Sequence, residues 1–167
     1  RVHRRQRQMC IRDSFKTMKT AYFSLGCFWS PQLEFEKIKG VKKAEVGYCG
    51  GNDPNTTYEK VCSGSTNHAE TIKVEFDENE ISYEELVRFF FKIHDPTQLN
   101  RQGPDIGTQY RSEIFYKDEN QKKIAEKIKE EFNKKFNGKV VTNISEEKLY
   151  QPAEEYHQYY LKRKSIL

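Results

Sequence analysis

The sequence has no apolar run long enough to cross a membrane, no internal repeat and no low-complexity linker. Its four cysteines are irregularly spaced and too few for the disulfide framework of a small secreted domain. Its four histidines are scattered and form no paired spacing of the zinc type. These absences predict a cytoplasmic protein in a reducing compartment, with one working thiol, no metal or other cofactor and no membrane partner.

Strong basicity of the folded part is also lacking. The formal net charge is +4, but residues 1–17 carry six Lys or Arg against Asp13, which leaves −1 for the remainder. A nucleic-acid-binding protein would need cations gathered on a folded face with interleaved aromatics. We therefore expect no nucleic-acid partner. We interpret residues 1–17 as a leader or an expression remnant, and residues 18–167 as a single domain.

Hydrophobic periodicity switches repeatedly between the strand and helix types, which predicts a mixed α+β domain. Strands are predicted at residues 19–25, 44–48, 71–76, 111–116 and 140–144, and helices at residues 31–39, 82–93, 118–136 and 152–161. Two long polar loops, 47–55 and 97–109, interrupt this pattern. Loops of such length inside a domain are usually functional.

The most informative stretch is Gly26-Cys27-Phe28-Trp29, which follows a predicted strand. Ser30 and Pro31 are typical of a helix N-cap and first helical residue, so Cys27 is expected just ahead of a helix N-terminus. The helix dipole there would favour the thiolate, which is the nucleophilic form of cysteine. The alternative is that Cys27 is a small buried hydrophobe beside core aromatics.

Glu70 is a second candidate for chemistry. It lies at the start of the predicted strand 71–76, directly after His68 and Ala69. A carboxyl at such a position can be half-buried, which raises its pKa toward neutrality and suits it to proton donation. The alternative is a solvated glutamate at a strand end.

Seven motifs, taken in order and with their spacing, resemble those of the type A peptide methionine sulfoxide reductases. The motifs are Gly26–Trp29, Gly47–Gly51, Tyr58–Gly64, His68–Glu70, His94–Gln98, Asn100–Gly103 and Gly107–Ser112. The resemblance extends over about residues 18–161. It implies a ferredoxin-like α+β two-layer sandwich with a mixed sheet and extended loops, and makes residues 18–167 the catalytic domain.

The resemblance also implies a role for each matching residue. Cys27 would be the nucleophile that attacks the sulfoxide sulfur, and Glu70 would donate a proton to the sulfoxide oxygen. Phe28 and Trp29 would form the wall of the pocket for the substrate's S-methyl group. The expected activity is reduction of the S epimer of methionine sulfoxide, in proteins or free, which leaves Cys27 as a sulfenic acid.

Three further residues complete the implied site on its polar side. Tyr58 and Tyr110 would hydrogen-bond the sulfoxide oxygen, and Asp105 would lie beside them. The physical logic agrees, because thiolate attack on a sulfoxide sulfur requires protonation of the oxygen as the bond forms.

Recycling of the sulfenic acid requires a second thiol. Many members of the family carry recycling cysteines in a C-terminal tail, whereas this chain has none after Cys62. Cys49, in a glycine-rich and therefore mobile loop, is a candidate resolving cysteine, while Cys62 is predicted to be structural and Cys10 lies in the leader. Thioredoxin, glutaredoxin or another thiol reductant could also attack directly. We expect a monomer.

The chain departs from the family pattern at three positions near these motifs. Ser30 replaces a usual glycine, Gln32 replaces a usual glutamate, and Asn67 replaces the common glycine before His68. None of them removes an implied catalytic group.

Two rival interpretations start from the same residues. A cysteine hydrolase would use Cys27 with one of the histidines as its base. A small basic binding module would use residues 1–17 to contact phosphates and would leave Cys27 merely buried.

Overall fold

A six-stranded mixed sheet organises the protein. A computed structural model describes residues 17–162, so the interpretation of residues 1–16, including Cys10, lies outside the described part. The strands are β1 Met18–Leu25, β2 Val41–Cys49, β3 Ala69–Asp77, β4 Arg101–Gln102, β5 Asp105–Ile106, β6 Ser112–Tyr116, β7 Asn143–Glu146 and β8 Gln151–Pro152. The sheet has the order β7-β6-β1-β3-β2-β8, and β4 with β5 forms a separate hairpin.

Between residues 17 and 159, four α-helices and two short 3₁₀ helices accompany the strands. The α-helices are α1 Trp29–Glu36, α2 Tyr58–Ser63, α3 Tyr83–Lys92 and α4 Glu119–Lys135, and the 3₁₀ helices are Thr108–Tyr110 and Glu155–His157. Within residues 17–162, none of the helices has the length and apolarity needed to span a membrane.

Strand pairing is antiparallel throughout the sheet except between β6 and β7, which run parallel. Alternation along β1 separates the two faces: Phe23 enters the main core, and Tyr22 enters a smaller cluster on the other face. The main core contains buried apolar side chains of helices α1, α3 and α4, such as Phe35, Leu86 and Ile128. The predicted α+β class with a mixed sheet is confirmed.

The two helices with clear sequence caps form as predicted. The Ser82 hydroxyl accepts a hydrogen bond from the Glu85 N–H at the start of α3, and the Asp118 carboxylate accepts one from the Gln121 N–H at the start of α4. Each side chain therefore satisfies a backbone donor that a helix N-terminus leaves free.

The predicted start of α1 is wrong. The helix begins at Trp29, and its N-cap is Phe28, which provides no side-chain hydrogen bond. The chain has already turned at Gly26, whose φ of +98° is a conformation that favours glycine. Ser30 and Pro31 thus lie inside the first turn, where proline is still tolerated because its missing N–H would have no helical partner.

Three further differences from the predicted elements lie near the C-terminus and just after the first long loop. The segment 152–161 is not one helix: it holds β8 and the 3₁₀ turn Glu155–His157, and helical backbone appears only from residue 160. The predicted strand 140–144 corresponds to β7, which begins three residues later, at Asn143. Helix α2 was not predicted, although the Thr57 hydroxyl caps it by accepting the Lys60 N–H.

Candidate active site

Cys27 lies at a turn that only glycine can make. Gly26 precedes it, and a Cβ placed on Gly26 would lie 2.7 Å from the Cβ of Gln102 in the β4–β5 hairpin. The Gln102 side chain is fixed by two hydrogen bonds to the backbone of Asp95, one to its N–H and one to its carbonyl. Because Gly26 has no side chain, the β4–β5 hairpin can pack against the end of β1, next to Cys27.

The Cys27 thiol is not held as a thiolate in the free protein. Its pKa is raised to about 12: burial is the main cause, the backbone N–H of Trp29 acts in the opposite direction, and the charges of Glu70 and Asp105 contribute smaller increases. Since Phe28 is the N-cap of α1, Cys27 lies before the helix rather than in its first turn. Cys27 therefore lies just ahead of the helix, as predicted, and the nearby N–H lowers the pKa of its thiol, but desolvation has the larger effect and raises that pKa.

Glu70 is a buried acid beside the peptide that follows Cys27. It is 2% exposed and accepts a hydrogen bond from the Phe28 N–H, while its Oε2 has no hydrogen-bond partner among the described residues. Burial is the main cause that raises its pKa to about 8, and Asp105 adds to the effect. The carboxyl is therefore neutral at pH 7, as its position at a strand start predicted.

The other predicted polar residues face the same acid. Tyr58 is the first residue of α2, Tyr110 is the last of the 3₁₀ turn Thr108–Tyr110, and Asp105 lies in β5. Burial raises the pKa of both tyrosines, that of Tyr110 to about 12, and the charge of Glu70 acts on each of them. Both hydroxyls are protonated near neutral pH and can donate hydrogen bonds; that of Tyr58 interacts with the Cys62 thiol in this structure.

The two aromatic residues after Cys27 differ in exposure. Phe28 is 1% exposed and packs against Tyr48, with ring centroids 5.8 Å apart, so it belongs to the core. Trp29 is only partly buried, and its indole stacks on Tyr160 with centroids 3.9 Å apart. The accessible aromatic surface beside Cys27 is therefore mainly that of Trp29.

A buried arginine ties two segments of the site together. Arg111 forms an ion pair of 2.7 Å with Glu113, donates to the carbonyl of Thr108, and donates to that of Asn67 just before β3. Asn67 has a φ of +56°, a left-handed conformation that asparagine and glycine adopt most readily, which explains why either occurs here. The arginine thus connects the turn that ends in Tyr110 with the loop that leads into β3.

A segment near the C-terminus supports the site, although its sequence pattern indicates this only weakly. We call residues 151–159 the C-terminal strap. The Glu154 carboxylate in this strap accepts hydrogen bonds from the Tyr58 N–H at 2.9 Å and from the Tyr48 hydroxyl at 2.8 Å. The run of Tyr, His and Gln at residues 156–160 was the available signal, but it was assigned to an amphipathic helix.

Cys49 does not lie in a mobile loop. It is the last residue of β2, pairs with Ala69 in β3 and is fully buried. Its thiol packs in the smaller cluster on the face of the sheet opposite the main core, and its Sγ donates to the Lys148 carbonyl at 3.4 Å. The premise for Cys49 as the resolving cysteine is therefore wrong, and the role itself stays a prediction.

Cys62 is the exposed thiol of the described part. It lies in α2, one turn after Tyr58, and interacts with the side chains of Tyr58 and Gln109. This exposed position in a short helix does not favour the structural role predicted for Cys62, which stays a prediction. Cys27, Cys49 and Cys62 are all free thiols.

His94 is not available as a base for Cys27, and the described residues form no metal site. His94 lines the same cavity as Cys27, but both of its ring nitrogens are hydrogen-bonded, Nδ1 to the Phe90 carbonyl and Nε2 to the Ser112 hydroxyl. Burial lowers the pKa of His94 to about 4, so it stays neutral. Among residues 17–162, no group of three or more His, Cys, Asp or Glu is placed to hold a metal ion. His94 therefore cannot supply the free imidazole base that a cysteine hydrolase needs.

Comparisons with known proteins agree with this arrangement. The family model described as peptide methionine sulfoxide reductase matches residues 19–166. The chain is 56% identical over 147 residues to the peptide methionine sulfoxide reductase MsrA of Pelagibacter ubique (strain HTCC1062), covering 88% of this chain and 100% of the relative. It is 50% identical to the MsrA of Pasteurella multocida (strain Pm70), covering 84% of this chain and 81% of that protein.

Solved structures show the same fold. Mxr1 from Saccharomyces cerevisiae in reduced form has a TM-score of 0.85 at 39% identity, covering 90% of this chain and 87% of that one. Mxr1 in complex with Trx2 has a TM-score of 0.63 at 26% identity, covering 87% and 86%. With the family model spanning nearly the whole chain, the chain belongs to the peptide methionine sulfoxide reductase (MsrA) family of thiol-dependent oxidoreductases, and it reduces methionine sulfoxide.

Proposed function

We propose that Cys27 attacks the sulfur of the S epimer of methionine sulfoxide while Glu70 gives a proton to the oxygen. One observation carries this proposal: the Phe28 N–H holds the carboxyl of Glu70 against the peptide that follows Cys27, and its Oε2 has no partner among the described residues. An acid that is neutral at pH 7 and has a free oxygen suits proton donation to a bound substrate.

The reaction balances with these two groups alone. Cys27 Sγ bonds to the substrate sulfur as the Glu70 proton moves to the sulfoxide oxygen. That oxygen then passes as hydroxyl to Sγ, the sulfur–sulfur bond breaks, and methionine leaves. The proton of the thiol replaces the one lost by Glu70. The substrate sulfur is reduced by two electrons, and Cys27 is oxidised to a sulfenic acid.

The high pKa of the thiol fits this scheme because the two groups share protons. Between the pKa of Glu70, about 8, and that of Cys27, about 12, the pair holds one proton, which rests mostly on the thiol. Moving that proton to the carboxylate creates thiolate and acid together. This is the reactive combination, so the nucleophile and the proton donor arise in one step.

Two unlike walls would orient the substrate. Trp29, with Phe28 behind it, contacts the S-methyl group, while Tyr58 and Tyr110 donate hydrogen bonds to the oxygen. Asp105 completes the polar side and raises the pKa of Glu70. Because the methyl group and the oxygen lie on different sides of a chiral sulfur, such walls accept one epimer and reject the other.

We further propose that an external thiol reduces the Cys27 sulfenic acid directly. The attacking thiol forms a mixed disulfide with Cys27 and releases water, and a second thiol of the reductant then displaces Cys27. Thioredoxin is the favoured reductant, because the related Mxr1 has been solved in complex with Trx2. Glutaredoxin offers the same chemistry. The burial of Cys49 on the opposite face of the sheet favours this route over an internal disulfide.

We also propose a finer fold class for the domain. A ferredoxin-like two-layer sandwich is supported by the succession β1-α1-β2-β3-α3-β6 and by the order β6-β1-β3-β2 of those four strands within the sheet. We also expect a cytoplasmic monomer whose catalytic domain spans residues 18–167.

The test is turnover of a peptide containing each sulfoxide epimer, with a dithiol as reductant, followed by chiral chromatography. Cys27→Ser should abolish reduction of the S epimer, since an alcohol supplies no anion near neutral pH. Cys49→Ser is the matched control and should keep the parental rate. Turnover by Cys27→Ser would overturn the assignment of the nucleophile, and equal consumption of both epimers would overturn the proposed selectivity.

A further inference from the structure

His157 lies behind both walls of the site. It belongs to the C-terminal strap, is 2% exposed, and has no role in the chemistry described above. Its ring centroid is 4.3 Å from that of Tyr58, 5.4 Å from that of Phe28 and 5.9 Å from that of Trp29. One imidazole therefore packs against residues that were assigned to both the polar and the apolar side of the substrate.

A single hydrogen bond links this imidazole to the more accessible aromatic of the site. The indole Nε1–H of Trp29 donates to His157 Nδ1 at 3.1 Å. An indole nitrogen can only donate, so Nδ1 has no proton and the ring proton resides on Nε2. Nε2 has no hydrogen-bond partner among residues 17–162 and lies 3.6 Å from the Glu154 carboxylate. The tautomer is thus set by Trp29.

We propose that His157 is a positioning residue, which orients the Trp29 indole for contact with the substrate's methyl group. The proposal deepens the proposed function and rests on the role given there to Trp29. Trp29 is partly exposed, and its other ring contact is the stack on Tyr160. Without a buried acceptor, its N–H would turn to water, and the indole would lose the orientation that the hydrogen bond defines.

The position of His157 is itself fixed relative to the sheet. Glu154, three residues earlier, bonds to Tyr48 of β2 and to the N–H of Tyr58 at the start of α2. One residue later, the Gln158 side-chain amide donates to the carbonyl of Val46. The strap is therefore held to the sheet on both sides of His157. These bonds fix the position of the His157 Nδ1 that accepts the Trp29 hydrogen bond.

The chain contains one tryptophan, so its intrinsic fluorescence reports this contact directly. His157→Phe keeps an aromatic ring but removes the acceptor, and His157→Asn keeps an acceptor close to the position of Nδ1. We expect His157→Phe to shift the Trp29 emission and to raise KM about three- to tenfold, the usual effect of one lost hydrogen bond, with kcat changed less than twofold. We expect His157→Asn to restore both values toward those of the parent.

A double-mutant cycle separates positioning from general loss of structure. In a Trp29→Phe background there is no indole N–H, so His157→Phe should cause no further rise in KM. His157→Leu provides a second variant without an acceptor, and melting temperatures verify that each variant is folded. An unchanged Trp29 emission in both acceptor-free variants, or the same rise in KM in the Trp29→Phe background, would overturn the proposal. Failure of the proposed function would appear differently, as a parent inactive toward sulfoxide.

Discussion

Adjacent residues on two paired strands face opposite sides of the sheet and differ completely in what they can do. Tyr48 and Glu70 are register partners whose side chains belong to the helix-covered side, where Cys27 and the polar residues meet. The next pair, Cys49 and Ala69, belongs to the cluster on the other face. Side chains alternate along a strand, so a shift of one residue moves a thiol from the face of the sheet that carries the site to the opposite face.

The two buried thiols, Cys27 and Cys49, have similar pKa values but different neighbours. Burial raises the pKa of Cys27 and that of Cys49 to about 12 in each case, so thiol acidity does not distinguish them. Cys27 has the neutral acid Glu70 beside it, whereas Cys49 has the Lys148 carbonyl as its hydrogen-bond acceptor. We therefore expect reactivity toward a sulfoxide to depend on the paired proton donor rather than on the thiol alone.

The largest effect is expected when the proposed proton donor, Glu70, is removed. Glu70→Gln should lower kcat by roughly two to four powers of ten, the usual contribution of a positioned general acid, with little change in KM. Glu75→Gln on the same strand is the control, because Glu75 pairs with Lys73 away from the site. A decrease in kcat of less than threefold for Glu70→Gln would mean that the proton comes from another group.

A smaller effect is expected in the dependence of kcat/KM on pH. Below pH 8, where Glu70 stays protonated, the thiolate fraction and hence the rate should rise about tenfold per unit. Above pH 8 the acid fraction falls as fast as the thiolate fraction rises, so the parental rate should level off. Glu70→Gln cannot ionise, and its low rate should continue to rise through pH 9. A parental rate that rises without levelling off would exclude Glu70 as the donor.

The smallest effect is expected from the two other described cysteines. Cys49→Ala and Cys62→Ala should each leave the thioredoxin-driven rate within about twofold of the parent, because the external thiol attacks Cys27 itself. Parallel assays with a small dithiol serve as the control for the chemical step. Loss of the thioredoxin-driven rate in Cys49→Ala alone would show that the end of β2 opens and that Cys49 is the resolving thiol. The same loss in Cys62→Ala would assign that role to the exposed cysteine.

Much of the fold could be predicted because its signals are local. The alternation of residues 71–76 and the caps Ser82 and Asp118 depend only on neighbours in sequence, and each of them formed the expected element. The burial and raised pKa of Glu70 also followed from its place at a strand start.

The remaining features depend on contacts between distant segments. The C-terminal strap is held by side-chain bonds to β2 and α2, more than ninety residues away, so no local pattern could reveal it. The pKa of Cys27 depends on burial beneath surrounding elements, which outweighed the helix N-terminus visible in the sequence. The side to which Cys49 points depends on the exact end of β2, and element boundaries are the least predictable feature of a sequence.

The most direct test of the account is the mass of the protein after one turnover without reductant, with peptide mapping of the modified residue. Incubation with excess methionine sulfoxide should yield one methionine per protein and one added oxygen, trapped as sulfenic acid on Cys27, while Cys49 and Cys62 remain free thiols. The same experiment with Glu70→Gln should reach this product far more slowly. Release of methionine with Cys27 unmodified, or oxygen found on Cys49, would contradict the account.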